Sequence, residues 1–196
     1  MDYLIVLPII NNEHLVDRCV ASIPDKSKLL IIDNSPTGFG KKYGCEIEYH
    51  PENIGVGSAW NIGLKRGHDF TVLLSASMML YGDIEKWLSQ ANQWGVYSFH
   101  GWHLLAIRKA TVDKIGLIDE NFYPAYYEDN DYHRRMLLAG CEFVRILIDA
   151  TSAGNAMSMH AGVNINWNKC RDYYIKKWGA LPPNELFKQP FNGIQN

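Results

Sequence analysis

The chain has no apolar run near the roughly 18 residues that a membrane-spanning helix needs. Its longest, Leu4 to Ile10, contains Pro8 and ends against Asn11 and Asn12. No basic segment followed by an apolar stretch opens the sequence, so no signal peptide is expected. Neither sign of charge dominates: 19 Lys and Arg against 21 Asp and Glu leave a formal net charge of -2. That balance excludes binding of a phosphate backbone through bulk charge. The four cysteines, Cys19, Cys45, Cys141 and Cys170, form no CxxC pair, which removes a zinc ribbon. Cys19 and Cys141 sit among apolar residues and read as core, so a reduced, cytoplasmic protein is expected. There is no internal repeat and no low-complexity linker.

What is present suffices for one core and one domain: 196 residues, 47% hydrophobic and 20% charged. A disordered or collagenous chain is thereby excluded. Strand and helix patterns alternate. Residues 3–10 are apolar and β-branched, as in a buried strand. Asn11 or Asn12 then offers an N-cap to a helix carrying Leu15, Val16, Cys19, Val20 and Ile23, which Pro24 ends. Further strands are predicted at 28–33, 47–50, 70–74, 96–99, 103–107 and 143–148. Helices are predicted after a turn in 55–67, from Asp83 to Ala91, and at 109–115, 128–139 and 167–178, with Gly140 and Gly179 closing the last two. The alternation predicts an α/β fold with a doubly wound, mostly parallel sheet flanked by helices. Ligands of such sheets bind beyond the carboxyl ends of the strands. The residues just after the strands therefore matter most: Asn11-Asn12, Asp33-Asn34-Ser35, 53–61 and Ser75-Ala76-Ser77.

Each candidate has a chemical and a plain structural reading. The Asp33 carboxylate can accept hydrogen bonds from a nucleobase imide or a ribose hydroxyl, or it can form an Asx-turn that ends the strand. The stretch from Asn53 to Gly63 has glycines that let N–H groups approach a phosphate at a helix N-terminus. It also reads as a tight loop before a packed helix. Trp60 stands where a GxGxxG fingerprint needs its third glycine, and no GK[ST] follows, so neither a dinucleotide site nor a P-loop is indicated. Glu128-Asp129-Asn130-Asp131 opens a helix behind Phe122, Tyr123, Tyr126 and Tyr127. Three carboxylates in one turn tend to raise at least one pKa, whereas the helix N-terminus favours the anions. The group is ordinary capping, or it holds a general base that deprotonates an acceptor hydroxyl. His160 could ligate a divalent cation or meet a diphosphate oxygen, or be a satisfied, partly buried histidine. His100 and His103 are discounted as a metal pair, because their spacing in a strand places them on opposite faces.

Taken in order, these pieces resemble a family-2-type inverting glycosyltransferase of the GT-A fold, with a rhamnosyl-transferase-like ending. The resemblance rests on Leu4-Ile5-Val6-Leu7-Pro8 with Asn11-Asn12, on Leu30-Ile31-Ile32-Asp33-Asn34-Ser35, and on Asn53-x-Gly55-x-Gly57-x-Ala59-x-Asn61-x-Gly63. It continues through 115–123 into Tyr127-Glu128-Asp129-Asn130-Asp131, then His160 and Tyr173-x-x-x-Lys177-Trp178-Gly179. It implies one GT-A-like domain at 1–180, with a nucleotide-sugar-binding half at 1–100 and an acceptor and catalytic half at 101–180. A C-terminal tail would occupy 181–196. It further implies that Asp33 and Asn34 read the nucleoside and that Pro8, Asn11, Asn53, Gly55, Asn61, Ser75 and Ser77 complete the donor site. Asp129, paired with Glu128, would be the catalytic base. Tyr127, Asp131 and Trp102 would contact the acceptor, and His160 would be the metal ligand. A UDP-sugar is the donor implied by default, with Mn2+ or Mg2+ as cofactor.

The sequence departs from that pattern at one place. An Asp-x-Asp should follow the fourth strand, and Ser75-Ala76-Ser77 stands there. Neutral hydroxyls are poor ligands for Mg2+ or Mn2+. Three outcomes follow: a metal-free diphosphate site, a weak metal site through His160 and an acid, or a non-catalytic nucleotide-sugar or saccharide-binding module. A nucleotidyltransferase fits least, because residues 7–14 hold no basic phosphate loop. A saccharide or small molecule is the expected acceptor. The mildly basic Lys169 to Lys177 segment, interleaved with Tyr173 and Tyr174 and flanked by Trp167 and Trp178, makes a hydroxymethylated base of viral DNA the minor alternative.

Overall fold

In the computed structural model, which describes residues 1–39, 43–153, 162 and 167–194, the first half builds the predicted alternation. Strand β1 (Tyr3–Ile9), helix α1 (Glu13–Ser22), β2 (Leu29–Asp33), β3 (Glu46–Tyr49), α2 (Val56–Lys65) and β4 (Phe70–Leu74) follow one another. The four strands are parallel in the order β3-β2-β1-β4. Alternation along β1 feeds both faces of the sheet. Ile5, Leu7 and Ile9 join Val16, Cys19 and Val20 of α1, while Leu4 and Val6 join Ala59, Trp60 and Leu64 of α2. The pairing of β1 with β4 ends at Val6, so the N–H that Pro8 lacks removes no bond to β4. Asn12 is the N-cap of α1 as expected, but it adopts a left-handed conformation and its side chain makes no capping bond.

The second half turns the sheet back on itself. After β5 (Met78–Leu80) and α3 (Ile84–Leu88) come β6 (Gly95–Ser98), β7 (Gly101–Arg108), α4 (Lys109–Ile115), α5 (Glu128–Ala139), β8 (Val144–Arg145), β9 (Ala150–Ser152) and α6 (Trp167–Trp178). Strand β7 lies antiparallel between β4 and β6, and β8 closes the order β3-β2-β1-β4-β7-β6-β8. The expected strand at 143–148 shrinks to two residues. Only Val96 and Tyr97 offer it partners, and Phe143 instead turns into the core against Tyr97. The ribbon of β5 and β9 escapes sequence analysis because three residues are too few to show a period.

Helix α6 is docked by a buried ion network. Lys177 Nζ lies 2.6 Å from both Asp119 Oδ2 and Asp131 Oδ1. Residues beyond α6 fold back onto it: Leu186 N donates to Trp178 O at 3.0 Å, and Tyr174 OH donates to Glu185 Oε1 at 2.6 Å. Among the described residues, no helix is long and apolar enough to cross a membrane.

Candidate active site

The carboxyl ends of β1, β2 and β4 open on one edge of the sheet. Asn11 N donates to Ser35 Oγ at 2.9 Å and ties the first two ends together. Asp33 is buried; its Oδ1 accepts from Ser35 N at 2.9 Å and its Oδ2 from Phe39 N at 3.0 Å. The Asx-turn reading is therefore realised. The same residue also lines a cavity of about 280 Å³ with Ile9, Ile31, Phe39, Tyr43 and Tyr49. Asn34 is buried, and its Oδ1 accepts from Ile54 N at 3.2 Å. Pro8 is half-buried near the end of β1.

The glycine stretch has the plain structural role. The first N–H of α2, on Val56, donates to Pro124 O at 2.9 Å, so it is not open to a phosphate. Asn53 Oδ1 accepts from Gly55 N at 2.9 Å and shapes the turn. At φ +81° Gly55 permits a close approach: a Cβ there would lie 3.0 Å from Tyr123 Cδ2 and 3.1 Å from Pro124 O. Asn61 is buried with its Nδ2 on Ile118 O and Glu120 Oε1, both at 2.8 Å, and its Oδ1 accepts from Ile118 N at 2.9 Å. Gly55 and Asn61 hold the segment that leads into α5.

Beyond β4 the two serines meet β7. Ser75 N donates to His103 O at 2.9 Å, Ser75 Oγ lies 2.9 Å from Ser77 Oγ, and Ser77 Oγ lies 3.4 Å from His103 Nδ1. Ser77 is buried, whereas Ser75 and His103 are half-buried. Burial lowers the pKa of His103 below the usual imidazole range, helped by His100, and the charge of Asp129 opposes the shift. These hydroxyls and one imidazole lack the carboxylates by which proteins usually hold Mg2+ or Mn2+. Among the described residues, no group of three or more His, Cys, Asp or Glu is arranged to hold a metal. His160 lies outside the described residues.

Across from the serines, α5 begins under strain. Tyr126 and Tyr127 both adopt left-handed backbone, at φ 80° and 71°, where bulky residues cost on the order of 1–3 kcal/mol each. Tyr126 stacks on Trp167 with centroids 3.6 Å apart, and Trp102, beside His103, meets Tyr132 of α5 edge-on at 6.0 Å. Glu128 is buried, and its Oε2 has no hydrogen-bond partner among the described residues. Burial first, and the neighbouring Asp129 charge second, push its carboxyl up to about 8. Asp129 is half-buried and is also raised by burial, while the N–H of Asn130 at 2.8 Å and the His133 and His103 rings hold it back. Of the two carboxyls, Glu128 carries the large upward shift, caused first by its burial and then by the charge of Asp129.

Asp131, expected at the acceptor, is held in the core. It is 0% exposed and bonded to Lys177, to Arg135 Nε at 2.9 Å and to Trp178 Nε1 at 2.9 Å. Its position, three residues after Glu128, turns it to the core side of the helix. Tyr127 is half-buried against Tyr174, with ring centroids 5.4 Å apart.

No family model and no curated protein sequence matches the chain. Solved structures do. A mannosyltransferase of Pyrobaculum calidifontis, in complex with GDP-Man and Mn2+, aligns at 13% identity and TM-score 0.56 over 75% of this chain and 55% of its own. GalNAc-T7 with UDP, GalNAc and Mn2+ aligns at 12% identity and TM-score 0.58 over 90% of this chain and 48% of its own. The catalytic domain of Drosophila β1,4-galactosyltransferase 7, in complex with xylobiose, aligns at 12% identity and TM-score 0.57 over 85% and 76%. The fold is GT-A. The chain spans about half the length of the first two of these structures. His103, which the sequence discounted as half of a metal pair, is the residue brought against the serines. Its placement depends on β7 pairing antiparallel with β4, which no local pattern announces.

Proposed function

We propose that this protein is an inverting glycosyltransferase that uses a nucleotide-sugar donor and a saccharide or small-molecule acceptor. The observation that carries the reading is the carboxylate pair Glu128–Asp129 at the start of α5, in a GT-A fold, with the Glu128 carboxyl pushed up to about 8 and Asp129 within electrostatic reach of His103 beside the end of β4. The nucleoside fits the cavity beside Asp33, whose Phe39, Tyr43 and Tyr49 rings suit a base. A uridine nucleotide is the default donor, and the saccharide ligands of the solved neighbours favour a sugar acceptor. In the reaction, the acceptor oxygen attacks the anomeric carbon as the bond from that carbon to the diphosphate oxygen breaks. The electron pair leaves with the diphosphate. The hydroxyl proton passes to Asp129, and attack from the face opposite the leaving group inverts the centre. Neutral Glu128 spares Asp129 a like charge and can donate a hydrogen bond.

A second reading, a non-catalytic nucleotide-sugar-binding module, is favoured by the serines that replace the expected acids. Donor binding and turnover separate the two. We expect Asp129→Asn to lower transfer by about a hundredfold or more while leaving donor binding within about twofold. Unchanged transfer in that variant would remove Asp129 from the mechanism, and donor binding without turnover by the parent protein would favour the module.

A further inference from the structure

We propose that Ser75, Ser77 and His103 form a metal-free cradle for the donor's diphosphate, in which His103, as imidazolium, supplies the positive charge. The inference rests on the glycosyltransferase reading and adds to it what replaces the cation.

The geometry assigns these residues to one task. The β4–β7 ladder ends with Ser75 N on His103 O at 2.9 Å, so the serine turn and the imidazole belong to one rigid corner of the sheet. Ser77 Oγ, 1% exposed with its residue, is shared between Ser75 Oγ and His103 Nδ1. This chain of hydroxyls fixes the ring while leaving Nε2 unused by any described hydrogen bond of His103. The ring also lies within electrostatic reach of Asp129, on the acceptor side. Its charge can therefore be felt both by the carboxylate that would take the proton and by the corner where the leaving group would gather charge. An imidazolium there can donate to a phosphate oxygen, and with Ser77 donating to Ser75 Oγ the Ser75 hydroxyl can donate as well. The corner offers no carboxylate to a divalent ion, so a protonated ring is the charge it can provide.

The charged and titratable groups acting on His103 are His100, from the turn before β7, and Asp129, from α5. Burial and His100 keep the free ring neutral at pH 7, and Asp129 acts the other way. A bound diphosphate adds two or more negative charges and reverses the balance, so binding at neutral pH should take up a proton.

The test is calorimetric titration of the full chain with UDP, and with GDP as a second probe, in EDTA and then in excess Mn2+. Titrations in two buffers of different ionisation enthalpy count the protons taken up. Binding in EDTA that Mn2+ improves by less than about threefold, with net proton uptake at pH 7, supports the cradle. His103→Gln should then weaken binding by about tenfold and abolish the uptake, as expected for loss of one charge-assisted hydrogen bond. His103→Lys should restore most of the affinity without proton uptake, which distinguishes lost charge from lost folding. Binding that needs Mn2+, or that is indifferent to His103→Gln in a variant that melts like the parent, overturns the cradle and leaves the glycosyltransferase reading standing. Absence of binding by either nucleotide in both conditions overturns both.

Discussion

At the scale of single residues, the chemistry turns on how differently two adjacent carboxyls are buried. Glu128 has a folded pKa near 8, far above the carboxylic acid of an unfolded chain. The folded protein therefore holds a proton that the unfolded chain releases, and stability falls as pH rises from about 4.5 to about 8. The slope is at most about 1.4 kcal/mol per pH unit. Glu128→Gln removes that loss. Chemical denaturation at pH 5 and pH 8 should show the variant matching the parent at the lower pH and exceeding it at the higher. Equal stability of variant and parent at both would show that folding leaves the Glu128 carboxyl unshifted. The position of this pair was legible in the sequence, as three acids at a helix start. Its division of labour was not, because Asp131 looks equivalent on paper and only the packing of α6 reveals that it is neutralised by Lys177.

At the scale of elements, two contacts decide whether the site residues meet. The first is the crossing of α2 over β1. A Cβ on Gly63 would lie 2.0 Å from Val6 Cγ2, so the helix can approach only because that position has no side chain. Gly63→Ala should destabilise by about 1–3 kcal/mol, and a second change, Val6→Ala, should recover part of the loss, as a denaturation cycle on the four proteins would show. The second contact is the clamp of α6. Lys177→Met would leave Asp119 and the buried Asp131 without their shared cation, and we expect a loss of about 3–5 kcal/mol by urea denaturation. The parallel strands were readable because a strand buried on both faces is a continuous apolar run. The glycine stretch misled for an equally physical reason. Glycine permits approach to a phosphate and approach to a neighbouring backbone alike, and here Pro124 takes the place of the anion.

At the scale of the whole molecule, the residues after Gly179 are fastened to the body of the fold. Arg134 Nη2 donates to Phe187 O at 3.0 Å, and Glu185 receives the Tyr174 hydroxyl. Truncation after residue 179 should cost at least about 2 kcal/mol from these two side-chain bonds alone, and a thermal melt should fall by roughly 4–8 °C or more. That fold-back was not legible, since its partners lie on helices far away in sequence. The central sheet has a further consequence. Its two halves are one continuous ladder, joined where β4 pairs with β7, so no break in the sheet separates the donor-side strands from β7, which carries His103. Many enzymes keep water from a reactive sugar by shutting two lobes upon it. Among the described residues, a central sheet that runs unbroken gives no second lobe to shut. The protein's choice between transferring a sugar and wasting it by hydrolysis must be made by short loops and by the acceptor itself, and slow donor hydrolysis in the absence of acceptor is the leak that such a rigid frame would show.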